Sequence, residues 1–208
     1  MRSLFLVLVA ACATTTTATP KGGPRGLRAS DHLDLAAQHD ALAKQSWPDR
    51  TMLVQPGGAD VPVAMPWYRS WDAGGDHERR AAEHRSQAAA LEADYDAACA
   101  GREDANVSPL VRYGLGAWPT KTGVVVYLAP AAGTPDALEA ALRCHRAWMM
   151  LAPAGMDDCP LDLPGLQVDA RGDTDGITLV MSVADPKLVP ELQRRAAHDL
   201  EVAPRAQR

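Results

Sequence analysis

Residues 134–160 constrain the fold most, because they combine a strong helix start, an apolar face and a defined end. Thr134 is a favourable N-cap, and Pro135 suits the first helical position. At about 100° per residue, one face of the helix collects six residues: Leu138, Ala141, Leu142, His145, Trp148 and Met149. Pro153 ends the helix, and a short loop leads to Cys159. The stretch predicts an amphipathic helix that packs against a core.

Short strand patterns surround this helix. Residues 122–128 are rich in β-branched side chains, and apolar residues alternate with polar ones over 166–171 and 177–183. A last helix is predicted over about 190–202. The order β-α-β-β-α predicts a small α+β domain over residues 118–202. It resembles a ferredoxin-like unit without its final strand, followed by a tail at 203–208.

Two copies of the pattern D-H-x-x-x-A-A-x-H begin at Asp31 and Asp76. Their 4-3 spacing is typical of a close helix–helix seam and predicts helices over about 30–46 and 75–100. Antiparallel pairing would bring His32 near His84, and His39 near His77. Two explanations of these histidines remain open. Cross-helix pairs are candidates for metal ligation, or the rings flank an alanine seam and reach water.

The helical pair and its connection define the first unit, a helical hairpin over residues 30–101. The connection contains Trp67, Tyr68 and Trp71. These aromatic residues either form an exposed patch or clamp the long connection to the core. Residues 102–117 are interpreted as a linker to the second domain.

The N-terminus predicts the location of the protein. Arg2 precedes an apolar run over residues 4–11 that is too short to cross a bilayer but suits a secretory signal. The run ends in Val9-Ala10-Ala11-Cys12, which resembles a bacterial lipobox. We therefore predict a signal peptide over 1–11, palmitate or a similar acyl chain on Cys12 and a flexible tether over 12–29. Ala13, rather than Asp, at the next position favours an outer-membrane lipoprotein that faces the periplasm.

Four cysteines are present, so a lipidated Cys12 leaves Cys99, Cys144 and Cys159. The periplasm is oxidising, and three cysteines allow three alternative single disulfides. Cys144–Cys159 closes the shortest loop, with Cys99 as a competitor. The alternative hypothesis is a soft-metal site for copper or zinc that uses the three thiolates and His145.

Catalysis is the weakest of the three hypotheses. Adjacent Cys144 and His145 point about 100° apart on a helix, so they do not form a nucleophile–base pair. The geometry does allow His145 to serve as the base for a Cys159 nucleophile. Asp157 or Asp158 would then be the carboxylate that orients the imidazole. No phosphate-binding loop, G-x-S-x-G elbow or H-E-x-x-H motif occurs. We therefore predict no catalytic residues and no cofactor.

Charge narrows the classes of partner. The formal net charge of −5 is dispersed along the chain and gives no basic footprint for nucleic acid. The expected contacts are the membrane, through the N-terminal lipid, and a protein or ligand of the envelope. The prediction is therefore a non-catalytic binding or structural module.

Several strings resemble an uncharacterised family of bacterial lipoproteins. They are HRSQAAALEADYDAACAG, SPLVRYG, LRCHRAWMMLAP, MDDCPLDLPGLQVDARG and LVPELQRRAAHDLE. The resemblance spans nearly the whole mature chain and implies location in the envelope of Gram-negative bacteria. It implies no activity and assigns no functional residue.

Overall fold

The computed structural model describes residues 25–52, 73–151, 158–173 and 176–202. Their longer helices are α1 (Ala29–Met52), α2 (Ala73–Cys99), α3 (Pro109–Tyr113), α4 (Pro135–Leu151) and α5 (Val189–Val202). The strands are β1 (Gly114–Pro119), β2 (Gly123–Leu128), β3 (Leu166–Asp173) and β4 (Gly176–Val183). The chain is therefore of the α+β class, as the sequence predicts.

The four strands form one antiparallel sheet in the order β1-β2-β4-β3. Along β4 every second residue is buried, and the buried ones are Ile177, Leu179, Met181 and Val183. Their neighbours in β2 repeat the alternation with Val124, Val126 and Leu128. Because side chains alternate between the faces of a strand, only one face of the sheet is covered.

Helices α4 and α5 provide the buried residues that cover this face. Thr134 Oγ1 accepts a hydrogen bond from the Ala137 amide at 3.2 Å, so it caps α4 as its sequence predicts. The inward residues of α4 include Leu138, Leu142 and Met149. Those of α5 are Leu192, Ala196 and Leu200. The core of the protein therefore lies between the sheet and these two helices.

The segment 102–117, interpreted from the sequence as a linker, differs in the structure. It contains α3 and most of β1, which forms the edge of the sheet beside β2. Two glycines, a proline and half-exposed positions hide the alternation that normally identifies a strand. A Cβ on Gly114 would lie 2.1 Å from Leu200 Cδ2 and 2.4 Å from the Leu110 carbonyl oxygen, so close packing requires glycine there.

Helices α1 and α2 pack side by side through alanines. Ala36 and Ala43 of α1 are buried, as are Ala81 and Ala88 of α2. Helix α1 extends to Met52, beyond the predicted end near residue 46. Trp67, Tyr68 and Trp71, like the N-terminal segment with Cys12, lie outside the described residues. None of the described helices is long and apolar enough to span a membrane.

Candidate functional site

A disulfide joins helix α2 to helix α4. Cys99, at the end of α2, is bonded to Cys144 of α4 with an S–S distance of 2.08 Å, and both cysteines are buried. The shortest-loop pair, Cys144–Cys159, is not formed. Cys144 and His145 diverge on α4, so Cys144 faces α2 while His145 faces Cys159. Cys159 is a free, buried thiol.

His145 lies between a carbonyl group and this thiol. Its Nδ1 is 2.7 Å from the Ala105 carbonyl oxygen, and its Nε2 is 3.6 Å from Cys159 Sγ. Because a carbonyl can only accept, Nδ1 carries the proton and Nε2 accepts from the thiol. The imidazole also stacks on Trp148, with ring centroids 5.7 Å apart. The sequence-predicted His145 and Cys159 are therefore brought together.

This pair is neutral and closed to solvent. Burial, followed by the charge of Asp199, raises the pKa of Cys159 to about 12. Burial also lowers the pKa of His145. His145 is only 2% exposed, and Cys159 is only 7% exposed. A thiolate is therefore disfavoured, and a nucleophilic role would need the thiolate.

Of the two predicted orienting carboxylates, the one in the described part of the chain pairs with an arginine and not with His145. Asp158 is exposed and accepts a hydrogen bond from Arg194 at 2.8 Å, while Asp157 lies outside the described residues. The Ala105 carbonyl takes the orienting position instead. The pair is thus a buried hydrogen-bonded contact of the core.

The four residues of the soft-metal hypothesis do not form one ligand set. The sulfurs of Cys99 and Cys144 are used in the disulfide, which leaves His145 and Cys159. Among the described residues, no group of three or more histidines, cysteines and carboxylates is arranged to hold a metal ion. Thiolates are the ligands that soft metals prefer, and the sulfurs of a disulfide are no longer thiolates.

A second buried polar contact lies near this pair. Ser108 Oγ donates to Asp199 Oδ2 at 3.2 Å, and both residues are 8% exposed. Burial raises the pKa of Asp199 to about 6, and the hydrogen bond from Ser108 opposes this shift. Arg195 donates to the Cys159 carbonyl oxygen at 3.2 Å and to Glu191 at 2.6 Å. The cluster anchors α5 to the segments that carry Ser108 and Cys159.

An arginine-lined groove between α2 and α4 has a volume of about 710 Å³. Its charged lining consists of Arg25, Arg102, Arg143, Arg146 and Asp94. Its apolar lining consists of Leu91, Ala97, Ala98, Ala100, Ala140, Ala147 and Met150. The lining thus combines four arginines and one aspartate with apolar side chains.

Two arginines of the groove, Arg25 and Arg102, donate hydrogen bonds to backbone carbonyls of α4. Arg25 donates to the Arg146 carbonyl oxygen at 3.0 Å, and Arg102 donates to the Ala137 carbonyl oxygen at 3.2 Å. Burial, and next the charge of Arg146, lowers the pKa of Arg25. The buried Nε of Arg146 has no hydrogen-bond partner among the described residues. Burial lowers the pKa of Arg146 as well, and the charge of Asp162 opposes the shift of both arginines.

Arg143 and Arg146 lie on the side of α4 opposite the apolar face that the sequence predicts. Their periodicity is that of a solvated face, and the sequence contains no sign that α2 packs beside it. The signal that was available is the recurrence of arginine at positions 143 and 146, three residues apart on one helix face. Comparisons with protein-family models, with curated proteins and with solved structures give no match for this chain.

Proposed function

We propose that this chain is a non-catalytic lipoprotein of the bacterial cell envelope that binds an organic anion in the arginine-lined groove. The observation that carries the binding function is the groove itself, which is lined by four arginines, one aspartate and apolar side chains. Its volume of about 710 Å³ suits a small ligand, since such sites usually enclose about 300–1,000 Å³. The ligand class is an anion that also carries an apolar part.

The chemistry of the groove favours binding over reaction. Guanidinium groups donate several hydrogen bonds in a fixed plane and match carboxylate, phosphate or sulfonate oxygens. They are poor general bases because they stay protonated. The neutral Cys159–His145 pair is buried away from solvent, which supports a non-catalytic role.

The envelope location is proposed from the sequence and supported by the disulfide. Val9-Ala10-Ala11-Cys12 supplies a lipidation site, and residues 12–29 supply the tether. A buried disulfide is typical of proteins in oxidising compartments. The membrane contact in this proposal is the lipid on Cys12, the periplasmic face of the outer membrane is the location, and an envelope protein remains a candidate partner.

The same proposal includes the finer fold and family assignments. We assign the chain to the family of bacterial lipoproteins that its sequence resembles. We interpret the order β-α-β-β-α as ferredoxin-like, with β1 at the edge position that a final strand would take. Helices α1 and α2 then form a hairpin whose connection, residues 53–72, lies outside the described part.

The anion site is tested with a pair of fluorescent probes on the full chain carrying Cys12→Ser. One probe is 1-anilinonaphthalene-8-sulfonate, and the other is N-phenyl-1-naphthylamine, which has a similar apolar body without the sulfonate. We expect saturable binding of the sulfonate with one site, weakened by added salt because charges attract it. Arg143→Gln and Arg146→Gln should each weaken it by about 10-fold, the loss of one charge-assisted hydrogen bond.

Arg171→Gln is the matched control, because Arg171 is exposed on β3 and pairs with Asp169. It should leave sulfonate binding unchanged, and circular dichroism should show that all variants are folded. Equal affinity for the two probes, or equal binding by the Arg146→Gln and Arg171→Gln variants, would contradict an anion site.

The location is tested separately by membrane fractionation. Cys12→Ser should move the protein from the membrane fraction to the soluble periplasmic fraction and abolish incorporation of labelled palmitate. Ala13→Ser is the control at the neighbouring position and should stay with the membranes. If the Cys12→Ser protein still sediments with membranes, the lipid anchor is wrong whatever the groove binds.

A further inference from the structure

We propose that α1 and α2 carry a divalent transition-metal site made of two cross-helix histidine pairs, each of which binds one ion. The pairs are His32 with His84, and His39 with His77. We call these four residues the histidine ladder. This inference is independent of the arginine-lined groove and of the Cys159–His145 pair.

The distances within the ladder are those of ligands to a shared ion. In each pair the two Nδ1 atoms are 3.0 Å apart. Two imidazole nitrogens at about 2.0–2.1 Å from one metal ion lie about 2.8–3.4 Å apart for ligand angles between 90° and tetrahedral. A small opening of either pair would therefore admit an ion without moving the helices.

The four rings follow one another along the seam, with His84, His39 and His77 stacked and His32 tilted by 41° against His84. Their centroids are 5.3 Å apart for His32 and His84, 5.7 Å for His84 and His39, and 5.2 Å for His39 and His77. The buried alanines of the seam, Ala36, Ala81 and Ala88 among them, let the helix backbones approach closely and fix this spacing. All four rings are half-buried, so an ion can reach them from solvent.

Without metal, each pair holds a proton where the ion would sit. Two neutral imidazoles at this distance share one N–H···N hydrogen bond, in which one Nδ1 donates and the other accepts. Metal binding requires both Nδ1 atoms to be unprotonated, so the donor ring transfers its Nδ1 proton to solvent and gains one at Nε2. No net proton is released when both rings start neutral. Burial, and next the partner imidazole, lowers the pKa of His32 and His39, which keeps them in the neutral, ligating form.

The ligand set limits which metals fit. Nearby carboxylates already have partners: Asp40 pairs with Arg85 at 2.8 Å, and Asp76 pairs with Arg79 at 2.9 Å. Each pair therefore provides two nitrogens, and water completes the coordination. This agrees with the absence of a group of three or more ligating residues in the described part of the chain. Two imidazoles with water suit Cu²⁺, Ni²⁺ and Zn²⁺, with Cu²⁺ bound most tightly.

The test is calorimetric titration of the metal-free full chain carrying Cys12→Ser with Zn²⁺ and with Cu²⁺ at pH 7.5. We expect two equivalents of each ion and a rise in the unfolding temperature, because an ion that binds only the folded state stabilises it. Electron paramagnetic resonance of the Cu²⁺ form should show coupling to two imidazole nitrogens per ion. EDTA should reverse each effect.

Paired variants separate the two ions. His32→Gln with His84→Gln should remove one equivalent, and His39→Gln with His77→Gln should remove the other. His198→Gln is the control, because His198 is exposed on α5, and it should retain both. Glutamine is polar and uncharged, and circular dichroism will identify any variant that fails to fold.

Three results would overturn the proposal. They are no binding at millimolar metal, unchanged stoichiometry in both double variants, and loss of a single shared equivalent in both. The first of these results, together with destabilisation by acid, would show that the histidine pairs share a proton and do not bind metal.

Discussion

The Cys159 thiol lies 3.6 Å from Nε2 of His145, whose other nitrogen donates to the Ala105 carbonyl oxygen. The same two residue types would form a nucleophile–base pair in a cysteine enzyme. Here burial raises the pKa of Cys159 to about 12 and lowers that of His145. Both shifts favour the neutral pair, so the contact contributes to the core and is unsuited to nucleophilic attack.

The first prediction concerns the reactivity of this thiol. We expect that iodoacetamide at pH 8 labels no cysteine of the folded, full-length protein carrying Cys12→Ser. Unfolding without reductant should expose one reactive cysteine, Cys159, and unfolding with reductant should expose three. Mass spectrometry of the alkylated protein measures all three states. Rapid labelling of the folded protein would show that the pair is open to solvent.

The second prediction concerns the Cys99–Cys144 disulfide. It joins residues 45 positions apart, and a loop of that size stabilises by about 4 kcal/mol in the chain-entropy model. Reductant should lower the free energy of unfolding by about 2–4 kcal/mol, measured by urea denaturation of the Cys12→Ser protein.

The double variant Cys99→Ser, Cys144→Ser is the matched control for reductant. It should unfold at the lower denaturant concentration whether reductant is present or absent. If reductant lowered the stability of the double variant as well, the effect would not come from this disulfide.

Much of the local structure follows from the sequence. The Thr134–Pro135 start of α4, its apolar face and the strands at 123–128 and 176–183 were all predictable, since each depends on local spacing. The cross-helix pairs of the histidine ladder are those that antiparallel packing predicts. These features share a regular period, which a single sequence displays directly.

The features that sequence reasoning missed depend on contacts between distant segments. Strand β1 has no apolar alternation because it is a half-exposed edge that packs through glycine. The shortest loop pointed to Cys144–Cys159, whereas the observed partner of Cys144 is Cys99, which depends on how α2 lies against α4. The arginine-lined groove was missed for the same reason. The sequence shows one face of α4 as polar, and only the fold shows that α2 lies beside that face.

The third prediction tests the alanine seam of α1 and α2. Ala88 is 2% exposed, so Ala88→Leu inserts three carbons into a close contact. We expect a cost of about 1–3 kcal/mol in the free energy of unfolding, because overpacking forces the helices apart. Ala90, two residues along the same helix, is exposed. Ala90→Leu should change stability little, and equal shifts in thermal unfolding for the two variants would count against this seam.

The last prediction concerns the buried carboxyl group of Asp199. Burial raises its pKa to about 6, so the folded state binds this proton more tightly than the unfolded chain does. Between about pH 4 and 6 the folded state therefore holds more protons, and the contribution of Asp199 to stability falls as pH rises. Above pH 6 the protein bears the full cost of an ionised buried group, which Ser108 offsets only in part.

Asp199→Asn removes this cost and keeps a polar group beside Ser108. At pH 8 the variant should exceed the parent in free energy of unfolding by about 1–3 kcal/mol, given about 1.4 kcal/mol per unit of pKa shift. At pH 4 the gain should disappear, because Asp199 is then protonated in the folded parent. Asp34 is exposed on α1, so Asp34→Asn serves as the control and should show no such pH dependence. Urea denaturation at the two pH values measures the difference. A variant less stable than the parent at pH 8 would mean that the ionised carboxylate is stabilised in place by its neighbours.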